Sequence, residues 1–241
     1  MILVLYSMDI IFWQIETQSL NFILFYVYFY YNFLLSNVIG QIALEISFQY
    51  KYIKNALAAT EYTNEETCRK MLVQTKRLYL EMHKVVQTFN GLFGNILLLM
   101  AIQCSLQILD FGVFLMEKVV PNLKVEYDAL IIYIIFIVLD LVWFSLTQFR
   151  CNMAKDESLK LLEVCFNLLD NHSNTSDLNL ELQALIQQIK NRPVRFTAAE
   201  FFEITRSTTF SIVGTTATYF IVYVELRSND SSSWNHNNVT K

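Results

Sequence analysis

Few side chains in this 241-residue sequence are placed to act on another molecule. Asp140 is the one charged residue between positions 129 and 149. A carboxylate inside so apolar a stretch is costly, and by default it marks a water-filled cavity or a ligand pocket. The same stretch carries Tyr133 and Phe136, and the run FYVYFYYNF at 25–33 adds Phe25, Tyr26, Tyr28, Phe29 and Tyr30. Aromatic rings with polar tips suit small organic ligands. Rings facing lipid or the membrane interface are the alternative, and for this run the preferred one. Catalysis has no comparable foothold. There is no H-E-x-x-H, G-x-S-x-G or G-x-x-x-x-G-K-[ST] pattern, and Cys68, Cys104, Cys151 and Cys165 lack metal-ligand spacing. His83, His172 and His236 lie far apart in sequence. Neither an enzyme nor a resident metal or cofactor is expected.

The elements that must position these groups follow from composition. Hydrophobic residues make up 54% of the chain and charged residues 17%, against about 45–50% and roughly 25% in soluble domains. The mean hydropathy is +0.34. Five Gly and two Pro leave little material for the turns of a many-stranded β protein. A net charge of −4 offers no basic surface to nucleic acid. The composition is that of an all-α membrane protein.

A spanning helix needs about 20 mostly apolar residues. Four stretches meet that length, giving expected transmembrane helices at 20–44, 89–111, 129–149 and 207–226. Lys and Arg orient them. Segments 45–88 and 150–206 carry 14 of the 18 basic residues, which places both in the cytoplasm. Segment 1–19, loop 112–128 and tail 227–241 are then extracellular. Segment 1–19 reads as an external connection or the remnant of an earlier span. Sequons at Asn229 and Asn238 suit an external tail, whereas those at Asn171 and Asn174 fall on the cytoplasmic side and weigh little.

The cytoplasmic segments are patterned as helices. Met71, Leu78, Met82, Val85 and Phe89, with Thr75 in the one polar slot, form a 3–4 spaced seam. That seam runs into the second span, so one helix projects from membrane to cytoplasm. Segment 157–190 reads as two shorter helices separated by Asn171–Asp177. The second buries Leu178, Leu182, Leu185 and Ile189 against another helix or subunit, in preference to lying on the membrane surface. Pro193 ends it. Thr197 and Glu200 are spaced as a capping box, with Phe196 and Phe201 as its hydrophobic staple, which predicts a new helix starting at 197.

The stretch FTAAEFFEITRSTTFSIVGTTATYFIVYVEL (196–226) resembles the C-terminal signature of insect gustatory receptors. Phe201 and Phe202 match its aromatic pair, Thr218-Tyr219 its Thr-Tyr pair, and Phe220 to Val224 the five residues that follow. Glu225-Leu226 stand where the family has Gln-Phe, and Glu200 where a Gly is common. QQIKNRPV and FNGLFGNILLL (89–99) are similar to the family too, and the resemblance covers about residues 20–227. It implies the last four helices of an inverted-topology seven-span receptor, with cytoplasmic anchor helices and an extracellular C-terminus in the plasma membrane. The first three spans are then missing, and the chain is expected to be a C-terminal fragment.

The resemblance also implies a taste-ligand-gated cation channel subunit that forms homo- or hetero-tetramers with related receptors. Its partners are a small-molecule tastant and membrane lipid. Leu226 aligns with the family's pore constriction, where a ring of apolar side chains gates by dewetting. Glu225 would form an acidic ring beside it, or else mark an interfacial helix end. Thr215, Tyr219, Val222 and Leu226 form a pore-lining stripe, or a stripe packed on the neighbouring span. The ligand pocket is expected at Asp140, Phe136, Tyr133, Tyr26, Phe29 and Tyr30, and the subunit anchor at Phe201, Phe202, Leu182, Leu185 and Ile189. The competing reading is a truncated, non-conducting membrane protein that associates with full-length subunits. Phe220, where sugar-sensing members often carry Glu, leans against a sweet receptor.

Overall fold

The computed structural model describes residues 20–62, 65–118, 127–171 and 176–238. Within them the chain forms α1 (Leu20–Ala58), a 3-10 turn (Ala59–Tyr62), α2 (Glu65–Lys118), α3 (Tyr127–Asn171), α4 (Ser176–Asn191), a small hairpin of β1 (Thr197–Ala198) and β2 (Phe202–Glu203), and α5 (Thr208–Asn238). Segment 1–19 and residues 119–126 lie outside the described residues, and the rest of the loop expected at 112–128 is helical, 112–118 ending α2 and 127–128 beginning α3.

The first three helices are far longer than a bilayer requires. At about 1.5 Å per residue, the 39, 54 and 45 residues of α1, α2 and α3 extend roughly 58, 81 and 68 Å. A hydrocarbon core is about 30 Å thick. Two helices, α2 and α3, contain windows long and apolar enough to cross a membrane. In each, the apolar stretch continues without a break into a charged, amphipathic half. The shorter helix expected from residue 157 is therefore not separate: it is the lower half of α3.

Side-chain pairs set the directions. Phe29 meets Phe136 at 4.9 Å, Phe33 meets Trp143 at 4.6 Å, and Lys54 pairs with Glu157 at 2.8 Å, so α1 and α3 run parallel. Gly40 lets the Arg150 side chain lie across α1, since a β-carbon there would sit 2.6 Å from the guanidinium. Gln103 approaches Asp140, while Tyr50 stacks edge-on to Tyr79 at 5.9 Å, so α2 runs antiparallel to both. Exposed apolar side chains cluster in the uncharged stretches, including Tyr31, Leu34 and Val38 on α1, Leu99 and Leu106 on α2, and Val138 and Val142 on α3. A water-facing surface does not gather apolar groups in such contiguous bands.

The charged half packs differently. Its buried seam on α2 is Cys68, Leu72, Thr75, Tyr79, Val86 and Phe89. This corrects the expected seam by a rotation of about one residue. Leu78 and Met82 only flank the core, and Val85 is exposed. Two stripes on this helix share the 3–4 spacing. The packed one is set by Tyr79, whose hydroxyl donates to the Arg192 carbonyl at 2.8 Å. Leu178, Leu182, Leu185 and Ile189 of α4 are all buried, and Lys76 bridges to Glu181. Glu157 sits between Lys54 and Lys160. Burial pushes its carboxyl up, but hydrogen bonds and charge from Lys160 and Lys54 outweigh this and hold it below the usual carboxylate range.

No helix starts at Thr197. Thr197 pairs with Glu203 and Ala198 with Phe202, and the connecting Ala199 and Glu200 have φ of 49° and 62°. Positive φ at both central residues is the type I′ hairpin pattern, normally given to Asn-Gly, and each L-residue there costs roughly 1–2 kcal/mol. A capping box needs the same residues right-handed, so Glu200 is not a capping residue and Phe201 is not a staple. Tertiary contacts override the local signal. The Asn90 carboxamide donates to the Arg195 carbonyl at 2.8 Å and accepts from the Thr197 N–H at 3.1 Å. Phe196 packs edge-on against Phe89, and Glu203 pairs with Lys155. Gly94, one turn above Asn90, leaves room for the hairpin tip: a β-carbon there would lie 2.9 Å from the Ala199 nitrogen. Helix α5 begins later, where the Ser211 N–H donates to the Ser207 carbonyl and Thr205 and Thr208 bond reciprocally.

Gly94→Val is expected to destabilise the folded protein by about 1–3 kcal/mol by lifting the hairpin from α2. Thermal unfolding of the detergent-solubilised protein measures it, and an unchanged midpoint would contradict the docking. Because the folded Glu157 pKa is depressed, its stabilising effect is full above about pH 4.5 and disappears as pH falls through the lower folded value. Glu157→Gln is expected to cost about 1–3 kcal/mol at neutral pH and to flatten the acid limb of the stability profile.

Candidate functional site

Among the described residues of the apolar half, a strongly polar cluster forms around Asp140. Asp140 of α3 is 6% exposed, and the Gln103 carboxamide of α2 donates to it at 3.3 Å. Gln107 lies one turn further along α2 and lines the adjacent cavity. Gln103 and Gln107 are spaced i, i+4, so both project from one face of α2. Beside them opens a cavity of about 810 Å³ between α1, α2 and α3. Its lining combines Tyr28, Phe136, Gln103 and Gln107 with the apolar Leu99, Ile102, Leu106 and Ile137, and with Asp110. Asp140 stands one layer behind, aiming Gln103 rather than facing the cavity. Neither Lys nor Arg is among the described lining residues.

Of the residues expected in a pocket, Phe136 and Phe29 come together as a buried edge-to-face pair, with Asp140 one turn along α3. Tyr30 stacks toward Phe33 at 6.3 Å and does not line the cavity. The side chains of Tyr133 and Tyr26 lie outside the described residues. The sequence reading missed Gln103 and Gln107. The signal for them was available: two carboxamides one turn apart in a stretch otherwise free of charge.

Helix α5 meets the bundle along one side. Phe220 lies against Gly112 of α2, where any β-carbon would come within 2.7 Å of the ring. Nearer the hairpin, the Thr209 hydroxyl donates to Gln148 at 2.8 Å and shares a 3.1 Å hydrogen bond with Ser145. Thr215, Tyr219 and Val222 fall within about 60° of arc, and Phe220 lies roughly 100–160° away from them. All three are exposed, with Tyr219 at 66%, and Glu225 is exposed as well. The side chain of Leu226 lies outside the described residues. The expected anchor residues divide. Leu182, Leu185 and Ile189 are buried between α4 and its neighbours, Phe202 is half-buried in the hairpin, and Phe201 is 79% exposed at its tip. Gly214 faces open space in the single chain.

The family model of the 7tm chemosensory receptors matches residues 1–228. The chain belongs to that family. The match takes in every element described above except the last part of α5. Among curated proteins, none matches the sequence. Chemosensory receptors are not a family of enzymes. The long helices with apolar bands are those of a membrane protein.

A volume exchange tests how α5 is seated. Gly112→Leu alone is expected to displace Phe220 and destabilise the protein, and Gly112→Leu with Phe220→Ala to recover at least about 0.5 kcal/mol. Additive losses in thermal unfolding would show that these residues do not touch.

Proposed function

We propose that the chain is a gustatory-type chemoreceptor subunit, a ligand-gated, non-selective cation channel in which a small tastant acts on the cavity beside Gln103 and α5 lines a shared pore. The observation that carries this reading is the exposed stripe Thr215, Tyr219 and Val222 on a helix of a chemosensory receptor, turned away from the contact between Phe220 and Gly112. A stripe that packed on its own bundle would be buried. Residues of several subunits facing a common axis would be exposed in one subunit, as these are.

Alternation of the helix directions supports four spans at 20–44, 89–111, 129–149 and 207–226. The basic residues in 45–88 and 150–206 support a cytoplasmic location for the lower halves of α1, α2 and α3 and for α4, with the C-terminus outside the plasma membrane. Tetramer formation with like or related receptor subunits then places Glu225 near the outer mouth, where an acidic ring concentrates cations. In the cavity, Tyr28 and Phe136 offer ring faces, and the carboxamides of Gln103 and Gln107 offer hydrogen bonds, to a small organic ligand.

Current recording from cells expressing the chain, alone and with related subunits, is the test. A tastant that evokes cation current is expected to need about tenfold more ligand after Gln103→Leu, the equivalent of one lost hydrogen bond. Glu225→Gln is expected to lower the preference for cations without moving the half-maximal concentration. Silence across broad tastant panels in both formats would leave the channel reading without support.

A further inference from the structure

A second groove, of about 520 Å³, runs between α3 and α5 on the side away from the ligand cavity. Its walls are apolar: Val138, Val142, Leu146 and Phe149 from α3 and Phe210 from α5. From Val138 to Phe149 it extends about 16 Å along the helix. One end carries Arg206, whose guanidinium lies 5.3 Å from the centre of the Phe149 ring and 3.1 Å from Asp156. The Arg206 side chain is 61% exposed, so the ion pair leaves most of its donors open.

Polar groups line the same groove. Gln148 is 1% exposed, and its carboxamide oxygen accepts from Thr209. Its carboxamide nitrogen has no partner among the described residues. That nitrogen is enclosed by the protein, so the open polar contact in the groove is Arg206. No carboxylate is among the described lining residues.

We propose that this groove is a site for an anionic phospholipid of the cytoplasmic leaflet. One acyl chain lies along Val138, Val142 and Leu146, and the phosphate sits on Arg206. An apolar slot ending in a cation at the membrane boundary matches such a lipid in both shape and charge. The leaflet assignment rests on the orientation proposed above; the lipid contact itself does not. Asp156 competes with the phosphate for Arg206.

Native mass spectrometry tests the site, using the full chain released from nanodiscs that contain phosphatidylcholine and phosphatidylserine. The protein is expected to retain phosphatidylserine in preference. Arg206→Gln is expected to lower that retention about fivefold without changing retention of phosphatidylcholine. Arg206→Lys keeps the preference, Asp156→Asn strengthens it, and Ser145→Phe, which fills the groove, removes both lipids. Unchanged phosphatidylserine retention in Arg206→Gln, or unchanged lipid retention in Ser145→Phe, would overturn the proposal. So would Val142→Cys cross-linking two copies through the groove while no lipid is held. The leaflet is tested separately: Arg206→Cys is expected to resist an impermeant thiol reagent applied outside intact cells, the four native cysteines being buried. Labelling would overturn the orientation and leave the lipid result standing.

Discussion

The contact between Gly94 and the hairpin tip governs how the two halves of the molecule are joined. The segment leaving α4 must turn back on itself before α5 can climb beside α2, and little room exists between them. A missing side chain at Gly94 provides that room, and the Asn90 carboxamide satisfies backbone groups on two sides of the approaching strand. The left-handed turn at Ala199 and Glu200 is unfavourable locally and persists because the surroundings determine it. Displacing the tip would release Phe196 from Phe89 and Glu203 from Lys155, and with them the start of α5.

Buried polar groups occur on either side of that junction. In the charged half, Lys54 meets Glu157 and Tyr79 the Arg192 carbonyl, while the buried Tyr50 hydroxyl has no partner among the described residues. Burial keeps the Cys165 thiol protonated, with its pKa pushed up to about 12. In the apolar half the few polar groups gather at Asp140, Gln103 and Gln107 and at Gln148, Thr209 and Ser145. A polar group that water cannot reach is costly unless it is matched. The cavity beside Gln103 and the groove beside Arg206 adjoin these two clusters, on opposite sides of α3.

Part of the candidate site was legible in the sequence because charge in an apolar stretch is rare, though of the expected pocket residues described only Phe136 lines the cavity. Asp140 stood out on that ground alone, and Phe29 and Phe136 followed from the aromatic content around it. Gln103 and Gln107 carry no charge and passed unnoticed. Periodicity alone was ambiguous on α2, where the stripes through Leu78 and Leu72 fit the same spacing. The buried stripe is the one carrying Tyr79, which meets Tyr50 of α1 and the Arg192 carbonyl just past α4. The capping-box pattern at Thr197 and Glu200 was misleading for a related reason: it describes a local preference, and the hairpin is held by residues a hundred positions away.

By itself the sequence determined the membrane character, the helical class and the family. Each of these depends on composition or on spacing within one segment. The tertiary structure decided the pairing of Asp140 with Gln103, the hairpin on Gly94, the seating of Phe220 on Gly112 and the two cavities on either side of α3. Those depend on how surfaces distant in the chain fit together, and the energy of such a fit belongs to neither segment alone.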